Sequence, residues 1–86
     1  MTTFPDQRTA LLTGAASERG IGRAAAHYLA ERGWNIGIID IDDAGARDAA
    51  SAIAAEYGVR AAGVGANVSN EASVIQAIDE LEAALS

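Results

Sequence analysis

The stretch Thr13-Gly14-Ala15-Ala16-Ser17-Glu18-Arg19-Gly20-Ile21-Gly22 constrains this chain more than any other. It follows a short apolar run, Ala10-Leu11-Leu12, and opens a helical pattern. Strand, glycine-rich turn and helix N-terminus, in that order, make a phosphate-binding arrangement. Glycines let the backbone turn tightly and let a ligand approach the main chain. The unpaired N–H groups and positive dipole end of the helix then face an anion. The common G-x-G-x-x-G spacing is absent, because Gly20-Ile21-Gly22 runs into Arg23-Ala24-Ala25 with no third glycine.

Hydrophobic periodicity organises the rest. Residues 1–7 read as an extended lead-in, with Pro5 and Asp6 resisting regular structure. Residues 8–13 read as a first strand whose continuous apolar run suits a sheet covered on both faces. A first helix is expected over about 20–32, with Ile21, Ala24, Ala25, Tyr28 and Leu29 as its apolar stripe and Gly33 as its stop. Residues 35–39 make the second strand, closed by Asp40. Asp42 or Asp43 can cap a second helix over about 43–57, with Ala46, Ala49, Ala50, Ile53 and Tyr57 facing inward and Gly58 ending it. Residues 60–66 are a third strand supported more by position than by propensity. Ser69 or Asn70 caps a last helix, with Glu71 in its first turn and Val74, Ala77, Ile78, Leu81 and Leu85 on its inner face. Strands alternating with helices at this spacing predict a parallel α/β sheet. Right-handed crossovers give strand order 3-2-1, the N-terminal half of a doubly wound, Rossmann-like three-layer fold.

Two further positions fit a dinucleotide. Asp40 lies 18 positions after Gly22, at a strand end, where such folds place an acid on the adenosine ribose hydroxyls. By itself an Asp there is a turn former; with the glycine loop at this spacing, ribose binding is the better reading. Asn67-Val68 follows the third strand, with an amide oxygen that can accept a hydrogen bond.

The glycine loop, Asp40 and Asn67-Val68 together resemble the short-chain dehydrogenase/reductase family, whose loop reads Thr-Gly-x-x-x-Gly-x-Gly. Here five residues rather than three separate Gly14 from Gly20, which lengthens the turn. The family usually carries Asp-Val or Asp-Leu where this chain has Asn67-Val68. The resemblance runs from Arg8 to about Leu85. It implies that Gly14, Ser17, Arg19, Gly20, Ile21 and Gly22 bind the cofactor's pyrophosphate side, Asp40 the ribose, and Asn67 with Val68 the adenine. It also implies an oxidoreductase parent moving a hydride between NAD(P) and an alcohol or carbonyl. Arg19 and Asp40 disagree on the cofactor. A basic residue before Gly20 pairs with the 2′-phosphate in NADP-preferring relatives, whereas Asp40 would face that phosphate. Two like charges about 4 Å apart at an effective dielectric near 20 repel by about 4 kcal/mol, while an exposed ion pair returns only about 0–1 kcal/mol. NAD is therefore expected over NADP.

The family's Tyr-x-x-x-Lys pair and Asn-Asn-Ala-Gly stretch are absent from these 86 residues, and all six basic residues are arginine. No catalytic residue is assigned. The expectation is an N-terminal fragment of one NAD(P)-binding domain, 1–86, whose first strand is left as an exposed edge without the rest of its parent chain. A self-standing nucleotide-binding or regulatory module and a structural domain with a vestigial loop remain the alternatives. A stretch of the parent beyond this one would hold the substrate, and the resemblance implies a homo-oligomeric parent.

Composition narrows the partners. The net charge of −6 argues against nucleic acid. The absence of cysteine excludes a disulfide framework and thiolate metal sites. No apolar run approaches a membrane span, and no secretion signal opens the chain, so a cytoplasmic protein is expected. Ribose binding and helix capping explain Asp40-Ile41-Asp42-Asp43 without a metal. His27 reads as a surface residue, Thr13 and Ser17 as loop hydrogen-bonders without a nearby base, Trp34 as packing at the sheet's end, and Tyr28 and Tyr57 as core.

Overall fold

The computed structural model describes residues 2–4, 7–14, 21–67 and 69–85. Its elements in chain order are β1 (Thr2–Phe4), β2 (Gln7–Thr13), α1 (Ile21–Glu31), β3 (Asn35–Asp40), α2 (Asp43–Tyr57), β4 (Ala61–Gly65) and α3 (Glu71–Leu85). The sheet order is β1-β2-β3-β4. The pairs β2–β3 and β3–β4 are parallel, with Thr13 opposite Ile39 and Asp40 opposite Gly65. These three strands are the expected 3-2-1 arrangement.

The fourth strand, β1, departs from the sequence reading. Residues 2–4 pair antiparallel with β2, Thr2 against Thr9 and Phe4 against Gln7. The lead-in is therefore a strand in part, and the edge of β2 is covered over Gln7–Thr9. That cover stops before Ala10, so the apolar run nearest the glycine turn receives no partner from β1.

Alternation along β3 sorts the core into two layers. Ile36 and Ile38 join Ala10, Ala26, Ala30, Ala46, Ala49, Ala50 and Ile53 beneath α1 and α2. Ile39 joins Val64, Ala66, Ala77, Leu81 and Leu85 beneath α3. Full burial of Ile36, Ile38 and Ile53 contributes about 1.5–3 kcal/mol for each side chain. Gly37 faces α3, and a Cβ there would lie 2.6 Å from Leu11 Cδ2.

The helix ends follow their sequence signals. Asp42 caps α2 by accepting from the Gly45 N–H, and Gly58 closes that helix at φ 71°. Asn70, rather than Ser69, caps α3 by accepting from the Ser73 N–H at 3.1 Å. After α1, the Gly33 N–H donates to Ala30 O and the Trp34 N–H to Leu29 O, which is the paired geometry of a Schellman stop.

The inner face of α1 does not match its expected stripe. Ala26 and Ala30 are buried, Leu29 is partly buried, Ala24 is exposed and Tyr28 is 57% exposed. The residues nearest the sheet are the small ones, because an alanine lets the helix axis approach the strands. Tyr28 lies outside instead, with the Arg32 guanidinium 3.6 Å over its ring. Tyr57, expected as core, packs on the first layer only partly buried.

Close approach also explains why β4 looked weak. A Cβ on Gly63 would collide with the backbone carbonyl of Ala46 and come within 2.7 Å of Arg47 N. One on Gly65 would lie 2.5 Å from Asp43 Cβ. The two glycines thus let the first turns of α2 rest directly on the strand. Gly63→Ala should destabilise the fold by about 1–3 kcal/mol, the range for forcing an extra carbon into a packed core. Urea denaturation checks this, and an unchanged midpoint would show that α2 does not press on β4.

Candidate functional site

The three sequence-remote candidates meet at one end of the sheet. Gly14, Asp40 and Asn67 stand at or just beyond the carboxyl ends of β2, β3 and β4, the side on which open α/β sheets bind ligands. Backbone bonds tie them together. The Gly14 N–H donates to Ile39 O at 3.0 Å, and the Ala66 N–H donates to Asp40 O at 2.9 Å.

Gly14 turns the chain with φ 69°, a left-handed conformation that favours glycine. A Cβ there would meet nothing within 4 Å, so the backbone angle, not crowding, selects glycine. Ile21 and Gly22 begin α1, whose first turn contains no acidic side chain to repel an anion. Ser17, Arg19, Gly20 and Val68 lie outside the described residues.

Asp40 is half-buried at the end of β3, and its Oδ1 accepts from the Asp42 N–H at 3.1 Å. That bond holds the carboxylate at the strand end. Asn67 is held more closely still. Its N–H donates to Ser73 Oγ at 3.1 Å, its side-chain Oδ1 accepts from the Ser69 N–H at 3.0 Å, and its carbonyl accepts from the Asn70 N–H at 2.9 Å.

Sequence reasoning missed two contributors. Ile41, beside Asp40, is 78% exposed, a large apolar side chain offered to solvent next to the candidate ribose position. Its signal was an isoleucine among three aspartates, where a turn needs no apolar residue. The sequence offers Asp43 as an alternative cap and as part of an acidic run that needs no metal. Its Oδ1 accepts from the Gly65 N–H at 2.7 Å and its Oδ2 from Arg47 Nε at 2.8 Å. It thereby clips the start of α2 to the end of β4, two residues before Asn67. The Arg47 hydrogen bond first, then the Gly65 N–H, holds the Asp43 carboxyl below its usual 3.8. The same pairing raises Arg47.

His27 is also not the surface residue expected. It is half-buried, and its Nε2 accepts from Arg23 Nε at 3.2 Å. In the neutral ring the proton then sits on Nδ1, 2.8 Å from the Tyr57 hydroxyl and 3.4 Å from Glu56. This bridge joins α1 to α2. Glu56, first by its hydrogen bond to the phenol, pushes Tyr57 above its usual value, with burial adding to the shift. Trp34 packs at the sheet's end as expected, with the Arg8 guanidinium 5.7 Å over its ring. A polar cleft of about 200 Å³ opens at the outer edge of β4 between Asp43, Arg47, Ser73 and Glu80, and its lining includes none of Gly14, Asp40 or Asn67. Among the described residues no helix is long and apolar enough to cross a membrane.

A parallel sheet that gathers a left-handed glycine turn, a strand-end acid and a strand-end amide at one edge has the architecture of the N-terminal part of a Rossmann-like fold. The family model for enoyl-(acyl carrier protein) reductase matches residues 14–86. The chain belongs to this family, within the short-chain dehydrogenases/reductases. It is 41% identical over 76 residues to a sorbitol dehydrogenase of Cereibacter sphaeroides, covering 88% of this chain and 27% of that protein. It is 40% identical over 74 residues to the 3-oxoacyl-[acyl-carrier-protein] reductase FabG of Aquifex aeolicus, covering 86% of this chain and 29% of that protein. Its fold matches L-sorbose reductase from Gluconobacter frateurii, solved with NADPH and L-sorbose, with a TM-score of 0.80 at 26% identity over 90% of this chain and 28% of that one. The chain therefore spans less than a third of the relatives it matches.

The Asp43 clip carries a pH signature. A carboxyl whose folded pKa is depressed adds stability that is present above its unfolded value and lost as pH falls through the folded one. For Asp43 the loss belongs below about pH 4, since its ordinary value is 3.8. Wild type should be more stable than Asp43→Asn near neutral pH, and the gap should close as pH falls below about 4. Urea midpoints measured across this range check it; a gap constant down to about pH 2 would show that the charge of Asp43 is not what holds the clip.

Proposed function

We propose that this chain forms the adenosine- and pyrophosphate-binding part of a nicotinamide-dependent oxidoreductase that moves a hydride between NAD(P) and an alcohol or carbonyl. The observation that carries the reading is the meeting of Gly14, Asp40 and Asn67 at one sheet edge, from three parts of the chain. In this reading the turn from Gly14 through Ser17, Arg19 and Gly20 to Ile21 and Gly22 holds the pyrophosphate. Asp40 takes the ribose hydroxyls, Ile41 covers the sugar's apolar side, and Asn67 with Val68 borders the adenine. The described residues suit such a ligand: α1 starts without an acidic side chain in its first turn, and the carboxylate of Asp40 is already anchored at the strand end. The chain's relatives include a sorbitol dehydrogenase, an L-sorbose reductase and an acyl-carrier-protein reductase, so substrate choice is assigned to residues outside this segment. No Tyr-x-x-x-Lys pair occurs in these 86 residues, and hydride transfer draws its proton donor from elsewhere in the protein.

The cofactor form is proposed as NAD. L-Sorbose reductase binds NADPH, but the carboxylate of Asp40, anchored by the Asp42 N–H, would oppose a 2′-phosphate more strongly than a solvent-screened ion pair with Arg19 would attract it. Titration of both cofactors into the protein that carries this chain, with and without Asp40→Ala, tests this. NAD should bind more tightly than NADP. The substitution should weaken NAD by about 10-fold or more, the loss of charge-assisted hydrogen bonds, and should remove the preference. Tighter NADP binding by the wild type, or an unaltered ratio in Asp40→Ala, would make Arg19 the selector instead.

A further inference from the structure

Arg23, His27, Tyr57 and Glu56 form a hydrogen-bond relay whose donors all point one way. A guanidinium has no acceptor, so Arg23 Nε can only donate to His27 Nε2, 3.2 Å away, and that ring nitrogen must carry a lone pair. The neutral ring then keeps its proton on Nδ1, which donates to the Tyr57 hydroxyl at 2.8 Å. The hydroxyl in turn donates to the Glu56 carboxylate. The relay starts in the first turn of α1, one residue past Gly22, and ends in the last turn of α2. On α1 the charged neighbours of the ring are Arg23 and Glu31, one turn to either side. On α2 they are Glu56 and the titratable phenol of Tyr57. The strands beneath this layer contribute Ala10, Ile36 and Ile38, which carry no charge.

We infer that His27 is a proton-operated switch on Arg23: the neutral ring holds Arg23 and Tyr57 at once, and the protonated ring drops Arg23 while keeping its hold on α2. The His27 side chain is 36% exposed, so solvent protons reach it, and histidine is the side chain that changes charge between about pH 5 and 8. A proton added at Nε2 removes the acceptor on which Arg23 depends and sets two cations against each other. The Nδ1 side keeps its donor. Glu56 Oε2 lies 3.4 Å from Nδ1, so the carboxylate then meets an opposite charge. Acidification therefore re-aims a guanidinium at the start of α1, beside the glycine turn, without parting the two helices. The switch needs no ligand and is independent of the nucleotide reading.

The test is side-chain nitrogen NMR of the isotopically labelled protein that carries this chain, titrated between about pH 8 and 5. The His27 and Arg23 signals are assigned by their loss in His27→Gln and Arg23→Gln. At the upper end of the range His27 should show the Nδ1–H tautomer, the form that free histidine disfavours. As pH falls, the Arg23 Nε–H signal should shift along the same curve as the His27 ring, while the Nδ1–H signal persists. In His27→Gln, whose amide oxygen can still accept from Arg23 but cannot take up a proton in this range, the Arg23 signal should stay in place. The tautomer and the paired titration are read in the wild type alone, so they decide the matter even where the variant unfolds. An Nε2–H tautomer in the neutral ring, an Arg23 signal indifferent to the protonation of His27, or one that shifts equally in His27→Gln overturns the switch.

Discussion

Parallel pairing of β2, β3 and β4 sets the level at which each strand stops. Thr13 lies opposite Ile39, and Asp40 lies opposite Gly65. Gly14, Asp40 and Asn67 therefore arrive side by side, although up to about fifty positions separate them along the chain. Two backbone bonds beyond the ladder, Gly14 N–H to Ile39 O and Ala66 N–H to Asp40 O, extend this alignment into the loops. A slip of one residue would turn every strand side chain to the opposite face and would scatter the three residues along the sheet axis. The site is in this sense a property of the register, and the side chains add chemistry to positions the backbone has already chosen.

The register depends in turn on close packing of α2. Its first turns lie against β4 only because Gly63 and Gly65 have no Cβ. Asp43 then locks the contact through the Gly65 N–H and Arg47. This single carboxylate links the helix that follows Asp40 to the strand that precedes Asn67. It is not itself one of the candidate ligand contacts, yet it ties together the elements that carry Asp40 and Asn67. At the far end of α2, His27 and Tyr57 join α1 to α2, which ties together the two helices of that layer.

Much of this was legible in the sequence because its signals were local. The continuous apolar strands, the caps at Asp42 and Asn70, and the stops at Gly33 and Gly58 each involve neighbours a few residues apart, and the 18 positions from Gly22 to Asp40 are read directly along the chain. What escaped was set by tertiary distance. The face of α1 was misjudged because an apolar count weighs Tyr28 like Ala26, whereas packing against a sheet rewards the smaller residue. The glycines of β4 looked like weak strand formers until Ala46 and Asp43 were seen resting on them. His27 joins a tyrosine 30 positions away, which no helical wheel displays. The β1 hairpin rests on Thr-Thr-Phe, three residues with no periodicity to read. At the site, the position of Asn67 was legible, but the direction its amide faces depends on the Ser69 N–H and needed coordinates.

The central claim, that one nucleotide spans the ends of β2, β3 and β4, is tested most directly by amide NMR of the isotopically labelled protein titrated with NAD. The account predicts saturable shifts concentrated at Gly14, Gly22, Asp40, Ile41 and Asn67. It predicts little change at Thr2–Phe4 or at Arg47 and Glu80 in the cleft along the outer edge of β4. Shifts confined to that cleft, or spread over the helices with Gly14, Asp40 and Asn67 unmoved, would contradict it.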